Sequence, residues 1–410
     1  MIPSSCRFCG SALEHAFCDL GLSPLSNAFV APARARGPDV FFPLQAYVCS
    51  DCLLVQLDQF ETPEKIFNNY VYFSSFSDSW LAHCRDYVDQ IVPALGLNEC
   101  SRVVELASND GYLLQYFKER GIPTTGIEPA RNVADTAIAR GIETICAFFG
   151  ESLARTLAAD GLQADLIVAN NVLAHVPDLN DFVAGIGHIL KPGGILTVEF
   201  PHLLTLIQQN QFDTIYHEHF SYFSLRTCMR VFAAHGLRVH HVDVLSTHGG
   251  SLRVHASPAA GERPADSSVA DVLNAEQRAS LDRLEGYLTF QGQVDRIKRD
   301  LLTFLIDAAN RGKSVVGYGA PAKGNTLLNY CGIKRDLLDY VVDRSPHKQG
   351  LLLPGTRIPV HAPARIHETR PDYLLILPWN LRDEVTTQMA VVRQWGGKFV
   401  VPIPEVTVLE

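Results

Sequence analysis

Between Arg102 and Phe200, short apolar runs alternate with segments of crossover-helix length, and few folds accept that alternation. Val103-Val104-Glu105-Leu106, Thr125-Gly126-Ile127 and Leu166-Ile167-Val168-Ala169 do not show the apolar-polar alternation of a sheet with one wet face, so both faces must be covered. The intervening segments 111–120, 130–140 and 179–190 each carry one apolar face. The pattern predicts a doubly wound parallel sheet. Lys191-Pro192-Gly193-Gly194 is expected to stop the last of these helices and turn the chain into a strand from Ile195 to Phe200. A second strand-turn-helix series opens at Ser314-Val315-Val316-Gly317-Tyr318-Gly319 and predicts another Rossmann-like α/β unit.

A chain of 410 residues exceeds the usual size of one core, and three domains are expected: a metal-stapled module over 1–75, an α/β domain over 76–257 and a second over 258–410. The boundary is placed at the Pro/Gly/Ser-containing stretch 258–268, with helical patterning resuming from Val269 to Arg311. Trp80, Leu81, Cys84, Tyr87, Val88 and Ile91 recur at helical spacing and lead into the first α/β core. Cys6-Arg-Phe-Cys9 and Cys49-Ser-Asp-Cys52 are knuckles whose two-residue gaps let paired thiolates converge on one tetrahedral ion, and four thiolates leave no open position. Structural zinc on Cys6, Cys9, Cys49 and Cys52 is therefore expected. Ten cysteines without a signal peptide or an apolar stretch of membrane-spanning length point to the cytoplasm. A formal charge of −9 argues against a nucleic-acid partner.

Strand and tight turn meet at Glu105-Leu106-Ala107-Ser108-Asn109-Asp110-Gly111, where backbone amides and side-chain oxygens can receive the polar end of a nucleotide-like cofactor. Glu128 ends the next strand about twenty residues on and can accept ribose hydroxyls. Asn170-Asn171 follows the third strand, at the same edge. Tyr216-His217-Glu218-His219 then gathers a phenol, two imidazoles and a carboxylate, the groups needed to remove a proton beside a carbonyl and stabilise the resulting oxyanion. His175 and His202 follow strands and are expected to face the same crevice. The spacing of His217 and His219 does not fit the helical zincin motif. In the C-terminal unit, Gly319, Ala320 and Lys323 form a glycine turn expected to hold a pyrophosphate, with Asp343, Trp379 and Asn380 bordering it.

The Glu105–Gly111 turn resembles the first motif of class I S-adenosylmethionine-dependent methyltransferases, with Ala107 where many have glycine. With it, Asn170–Asp178, Phe212–Phe223, Thr247–Arg253 and Gly317–Thr326, in this order after the knuckles, resemble the deoxysugar C-methyltransferases, over nearly the whole chain. That resemblance implies structural zinc, S-adenosylmethionine in the middle domain and a nucleotide-diphosphate 4-ketosugar, thymidine-linked and methylated at C-3', held with help from the C-terminal domain. By that resemblance Tyr216, Glu218, His219, His175 and Tyr72 match the family's active-site positions, and the chemistry of the groups assigns His219 as base, Glu218 to orient or tune it, and Tyr216, Tyr72 or His175 as donor to the enolate oxygen. The resemblance implies cofactor contacts at Glu105, Ala107, Ser108, Asn109, Gly111, Glu128, Asn170 and Asn171. Substrate contacts are expected at Tyr70, His202, His248, Gly319, Ala320, Lys323 and Asn380. The alternatives are a zinc-containing RNA methyltransferase, which the acidic balance disfavours, and a non-enzymatic zinc-ribbon adaptor. Oligomeric state is left open by the sequence.

Overall fold

The computed structural model describes residues 5–62, 73–261 and 263–409, so Tyr70 and Tyr72 lie outside the described residues. The described residues form three sheets. The first is antiparallel, β1 (His15–Ser23), β2 (Phe42–Val48) and β3 (Val55–Leu57), closed by β9 (Ser221–Tyr222), which the middle of the chain contributes.

The second sheet has the order β10-β11-β8-β7-β4-β5-β6. Its strands β4 (Val103–Leu106), β5 (Thr124–Ile127), β6 (Thr144–Ile145), β7 (Ala164–Asn170) and β8 (Leu190–Pro201) are parallel. Antiparallel β11 (Ser251–Pro258) then separates β8 from β10 (Leu237–Leu245). β4 is buried at all four positions, as a strand with helices on both faces requires. The chain leaves β4 toward β6 and returns on the other side to β7, so the topological switch, where open α/β sheets bind ligands, lies beside β4.

The third sheet follows the same logic, in the order β14-β13-β12-β15-β16-β17. Its strands are β12 (Val315–Tyr318), β13 (Val341–Val342), β14 (Val360–His361), β15 (Tyr373–Ile376), β16 (Lys398–Val401) and antiparallel β17 (Thr407–Leu409). Among the described residues no helix is long and apolar enough to cross a membrane.

Two local expectations change. Lys191-Pro192-Gly193-Gly194 does not separate helix from strand: β8 begins at Leu190, opposite Ala164, and the four residues bulge before Ile195 pairs with Leu166. A Cβ at Gly194 would come 2.8 Å from the Ala164 carbonyl oxygen, so close strand contact explains the glycine. The stretch from Val269 to Arg311 is two helices, Ser267–Arg278 and Phe290–Asn310, interrupted where Ser280 takes the left-handed conformation (φ 62°).

The first of these helices packs its Val269 and Val272 into the core of the seven-stranded sheet, whereas Leu281, Tyr287 and Phe290 belong to the core of the third sheet. The C-terminal core also takes Leu203, Leu204, Phe212 and Ile215 from the middle of the chain, so the two cores interleave along the sequence. The N-terminal module bridges both: Cys49, Cys52 and Leu54 pack with the middle core, Phe17, Leu44 and Ala46 with the C-terminal one.

Candidate active site

The two knuckles have the same backbone. Gly10 and Leu53, each directly after a second cysteine, are left-handed (φ 80° and 64°) and return their amides to the carbonyls of Cys6 and Cys49. The four sulfurs lie within 4.8 Å of one another, with Cys6–Cys52 and Cys9–Cys49 at 3.5 Å. Thiolates about 2.3 Å from one tetrahedral ion sit roughly 3.8 Å apart, so the set fits zinc and leaves it closed to substrate.

At the switch beside β4 the turn uses left-handed residues at Ala107 (φ 55°), Asn109 (φ 49°) and Gly111 (φ 77°). The first shows why glycine is common there: a Cβ in that region costs roughly 1–2 kcal/mol. Gly111 is under stronger constraint, because a Cβ would lie 2.9 Å from Ile142 Cγ1. Glu128 organises the turn, accepting the Asn109 amide at 2.9 Å and the Ala130 amide at 2.8 Å. Each of its oxygens keeps a lone pair for a ribose hydroxyl. Asn171 Oδ1 and Ser108 Oγ are buried without a partner among the described residues, as a polar cofactor's contacts would be. These residues fit S-adenosylmethionine. Glu105 is different: it is fully enclosed, and burial pushes its carboxyl well above the ordinary range, beside Tyr112 within the strand-helix core. Substituting Glu128→Ala should weaken donor binding by at least tenfold, read as Kd by calorimetry, since charge-assisted bonds contribute about 1.5–3 kcal/mol each.

The tetrad follows the helical turn Phe212–Thr214. His219 donates Nδ1–H to the Thr214 carbonyl (2.9 Å), which fixes its tautomer and leaves Nε2 to accept the Tyr216 hydroxyl (2.8 Å). Burial, reinforced by the charges of His175, His248 and Lys323, holds this imidazole well below its usual pKa. His175, ring centroid 4.6 Å away, donates Nδ1–H to the Glu218 carbonyl (2.7 Å) and is lowered to about 4 by burial. His219 lines a narrow cleft with Ala174, Phe200, Thr214 and Tyr222.

Glu218 does not orient His219. Its carboxylate accepts from Asn27 Nδ2 (2.7 Å), while the two ring nitrogens of His219 meet Thr214 and Tyr216. Burial raises Glu218 to about 7. A raised carboxyl favours the folded state fully below the unfolded value of 4.5 and loses that contribution as pH rises through about 7. Wild-type protein should therefore lose on the order of 3 kcal/mol relative to Glu218→Gln between pH 4 and pH 8, measured by denaturant titration.

Other expected contacts separate into two groups. His248 belongs to the site: its Nε2 is 3.3 Å from Asn171 Nδ2 and its ring is 5.2 Å from that of Trp80. His202 does not. It is 5% exposed, and its Nε2 meets Glu276 at 2.8 Å, a carboxylate that also accepts the amides of Leu225 and Arg226. It joins helices rather than facing the crevice. His217, outside the reacting group, meets the Pro43 carbonyl between Phe42 and Phe60.

The glycine turn after β12 is not a free pyrophosphate cradle. The Gly319 amide is bonded to the Val342 carbonyl and the Ala320 amide to Asp343 Oδ2, so both amides are used and a carboxylate stands where an anion would bind. Lys323 instead donates to Asn380 Oδ1 (2.8 Å) and lies 4.3 Å over Trp379, whose Nε1 donates to Asp213 (2.8 Å). Burial raises Asp213 to about 7 against the pull of Lys323. Lys323 thus belongs with the tetrad. Asp213 was missed although it lies three residues before Tyr216, and Asn27 offered no local signal at all. Glu199 did, as a charge inside an apolar strand; it pairs with Arg253 and His83 beneath Trp80.

Three family models cover the chain: "Putative zinc binding domain" over 6–67, "Methyltransferase domain" over 80–242 and "C-methyltransferase C-terminal domain" over 246–404. C-methyltransferase NovU of Streptomyces niveus is 37% identical over 98% of this chain and 96% of its own. A ubiquinone biosynthesis O-methyltransferase of Xylella fastidiosa is 30% identical over 28% of this chain and 45% of its own. Among solved structures, the PH0226 protein of Pyrococcus horikoshii is 14% identical, with a TM-score of 0.38 over 48% of this chain and 99% of its own. With the donor turn beside β4, the four-cysteine cluster and full-length similarity to NovU, this chain belongs to the S-adenosylmethionine-dependent C-methyltransferases that carry a structural zinc module.

Proposed function

We propose that the enzyme methylates a nucleotide-diphosphate-linked 4-ketosugar, thymidine-linked, on the carbon beside the ketone, C-3'. The observation that carries this reading is the lone pair of His219 Nε2, held by the Thr214 carbonyl bond and placed against the Tyr216 hydroxyl, with the His175 ring centroid 4.6 Å from that of His219. Carbon beside a ketone is only weakly acidic, so a base and an oxyanion donor must act together.

S-adenosylmethionine supplies, when bound, a methyl group on a positively charged sulfur. His219 Nε2 takes the proton from the sugar carbon. Tyr216 releases Nε2 at that moment and turns its hydroxyl toward the forming enolate oxygen. Burial disfavours an isolated imidazolium; the enolate beside it provides the opposing charge. Lys323, whose charge bears on His219 and His248, adds a fixed positive field. The electron pair of the former C–H bond forms the new C–C bond as the methyl–sulfur bond breaks, its pair staying on the sulfur, which would become a neutral thioether, and excluding water protects the carbanion. The C-terminal unit helps hold the nucleotide.

Incubation with a panel of nucleotide-linked 4-ketosugars and 13C-methyl donor tests the proposal. The label should appear on carbon adjacent to the ketone, together with exchange of that carbon's hydrogen into deuterated solvent. Label on oxygen or nitrogen, or transfer only to RNA, would overturn it.

A further inference from the structure

β10 and β11 lie at the antiparallel margin of the seven-stranded sheet, away from the donor turn, and their register gathers a second set of ligand-type side chains. His241 and His255 are cross-strand partners, and Asp243 lies two residues along β10, hence on the face of His241. A bulge between Val239 and His241 sets this phase. The ligand atoms of the three residues lie within 4.8 Å of one another. His241 Nε2 is 3.0 Å from Asp243 Oδ1, His255 Nε2 is 2.9 Å from Asp243 Oδ2, and the imidazole centroids are 5.0 Å apart. Ligands about 2.0–2.1 Å from one tetrahedral ion sit roughly 3.3 Å apart.

A second observation is independent of that spacing. His241 Nδ1 is 2.6 Å from Asp266 Oδ2. With the ring proton directed there, the lone pair of Nε2 faces a carboxylate oxygen. Two acceptors at 3.0 Å require a cation between them, either a proton or a metal ion. Carboxylate on one imidazole nitrogen and metal on the other is the usual outer support of a histidine ligand. Asp266 is itself fixed as N-cap of the helix Ser267–Arg278, accepting from the Ser268 amide at 2.9 Å. Arg253 brings Nη1 to 3.8 Å from Asp243 Oδ2, beyond hydrogen-bond reach, while its Nε and Nη2 are engaged by Glu199.

We propose that His241, Asp243 and His255 bind a second divalent cation of the zinc class, with water completing the tetrahedron, and that it clamps β10 to β11 and, through Asp266, to the following helix. The ion is structural and takes no part in methyl transfer.

Cobalt(II) titrated into protein already holding zinc on its four thiolates tests this. One saturable equivalent should bind, with ligand-field absorption of a nitrogen-oxygen tetrahedron and no thiolate charge-transfer band. His255→Gln should abolish it at unchanged circular dichroism. Asp266→Asn keeps the helix cap, since asparagine caps as well as aspartate, and should weaken cobalt binding about 10- to 100-fold. Absence of a saturable equivalent in the wild type, or undiminished affinity in either variant, would overturn the proposal. If His255→Gln does not fold, Asp266→Asn decides alone.

Discussion

His219→Asn should lower methyl transfer by about 10²- to 10⁴-fold, the usual contribution of a positioned general base, while the Kd for S-adenosylmethionine stays within about twofold of wild type. Asparagine can still meet the Thr214 carbonyl, but it has no basic nitrogen to face Tyr216. The donor turn, built from Ala107 to Gly111 and Glu128, is not held by His219. Single-turnover kinetics and calorimetry on the same preparation separate the two quantities. Activity near wild type would remove His219 from the role of base. A parallel loss of donor affinity would instead mean that the imidazole supports the fold of the cleft.

Cys49→Ser should remove the bound metal and destabilise the protein by on the order of 4–5 kcal/mol, since loss of a structural metal is among the few changes that reach this size. Cys49 and Cys52 are fully buried in the core that contains Leu54, Phe223 and Val254. Without zinc, thiolates brought 3.5 Å apart would repel or protonate, and the knuckles would separate. Activity should fall too, because Asn27 of the same module holds Glu218. Metal analysis and denaturant titration check the result, with exposed Cys100→Ser as the control that should change neither. A stable zinc-free Cys49→Ser protein would show that the module's hydrophobic contacts suffice.

Some features were legible because their physics is local. A knuckle needs two thiols separated by two residues, a donor turn needs a strand followed by residues that tolerate positive φ, and Glu128 needs only the right distance along the chain from that turn. The tetrad is contiguous, so the groups it offers could be read directly, though not which of them would meet each other. The resemblance added an ordering of these pieces, and full-length similarity to NovU establishes the family.

Other features depend on distant partners. Glu218 appeared to be the natural companion of its neighbour His219, yet a loop crossing between β1 and β2 delivers Asn27 to it from 191 positions away. The glycine turn appeared ready for an anion, but Asp343 occupies the Ala320 amide from the end of the neighbouring strand. His202 stands at a strand end, as a crevice residue should, and is claimed by Glu276 on a helix 74 residues later.

The sequence by itself determined which chemical groups are present and which short segments become strand, turn, helix or metal knuckle, because backbone preference and side-chain periodicity act over a few residues. Only the tertiary structure decided which lone pair each histidine leaves free, which amides remain available and which charges lie beside one another. Those outcomes depend on hydrogen-bond partners supplied by other sheets, and a buried polar group takes whichever partner packing brings within reach.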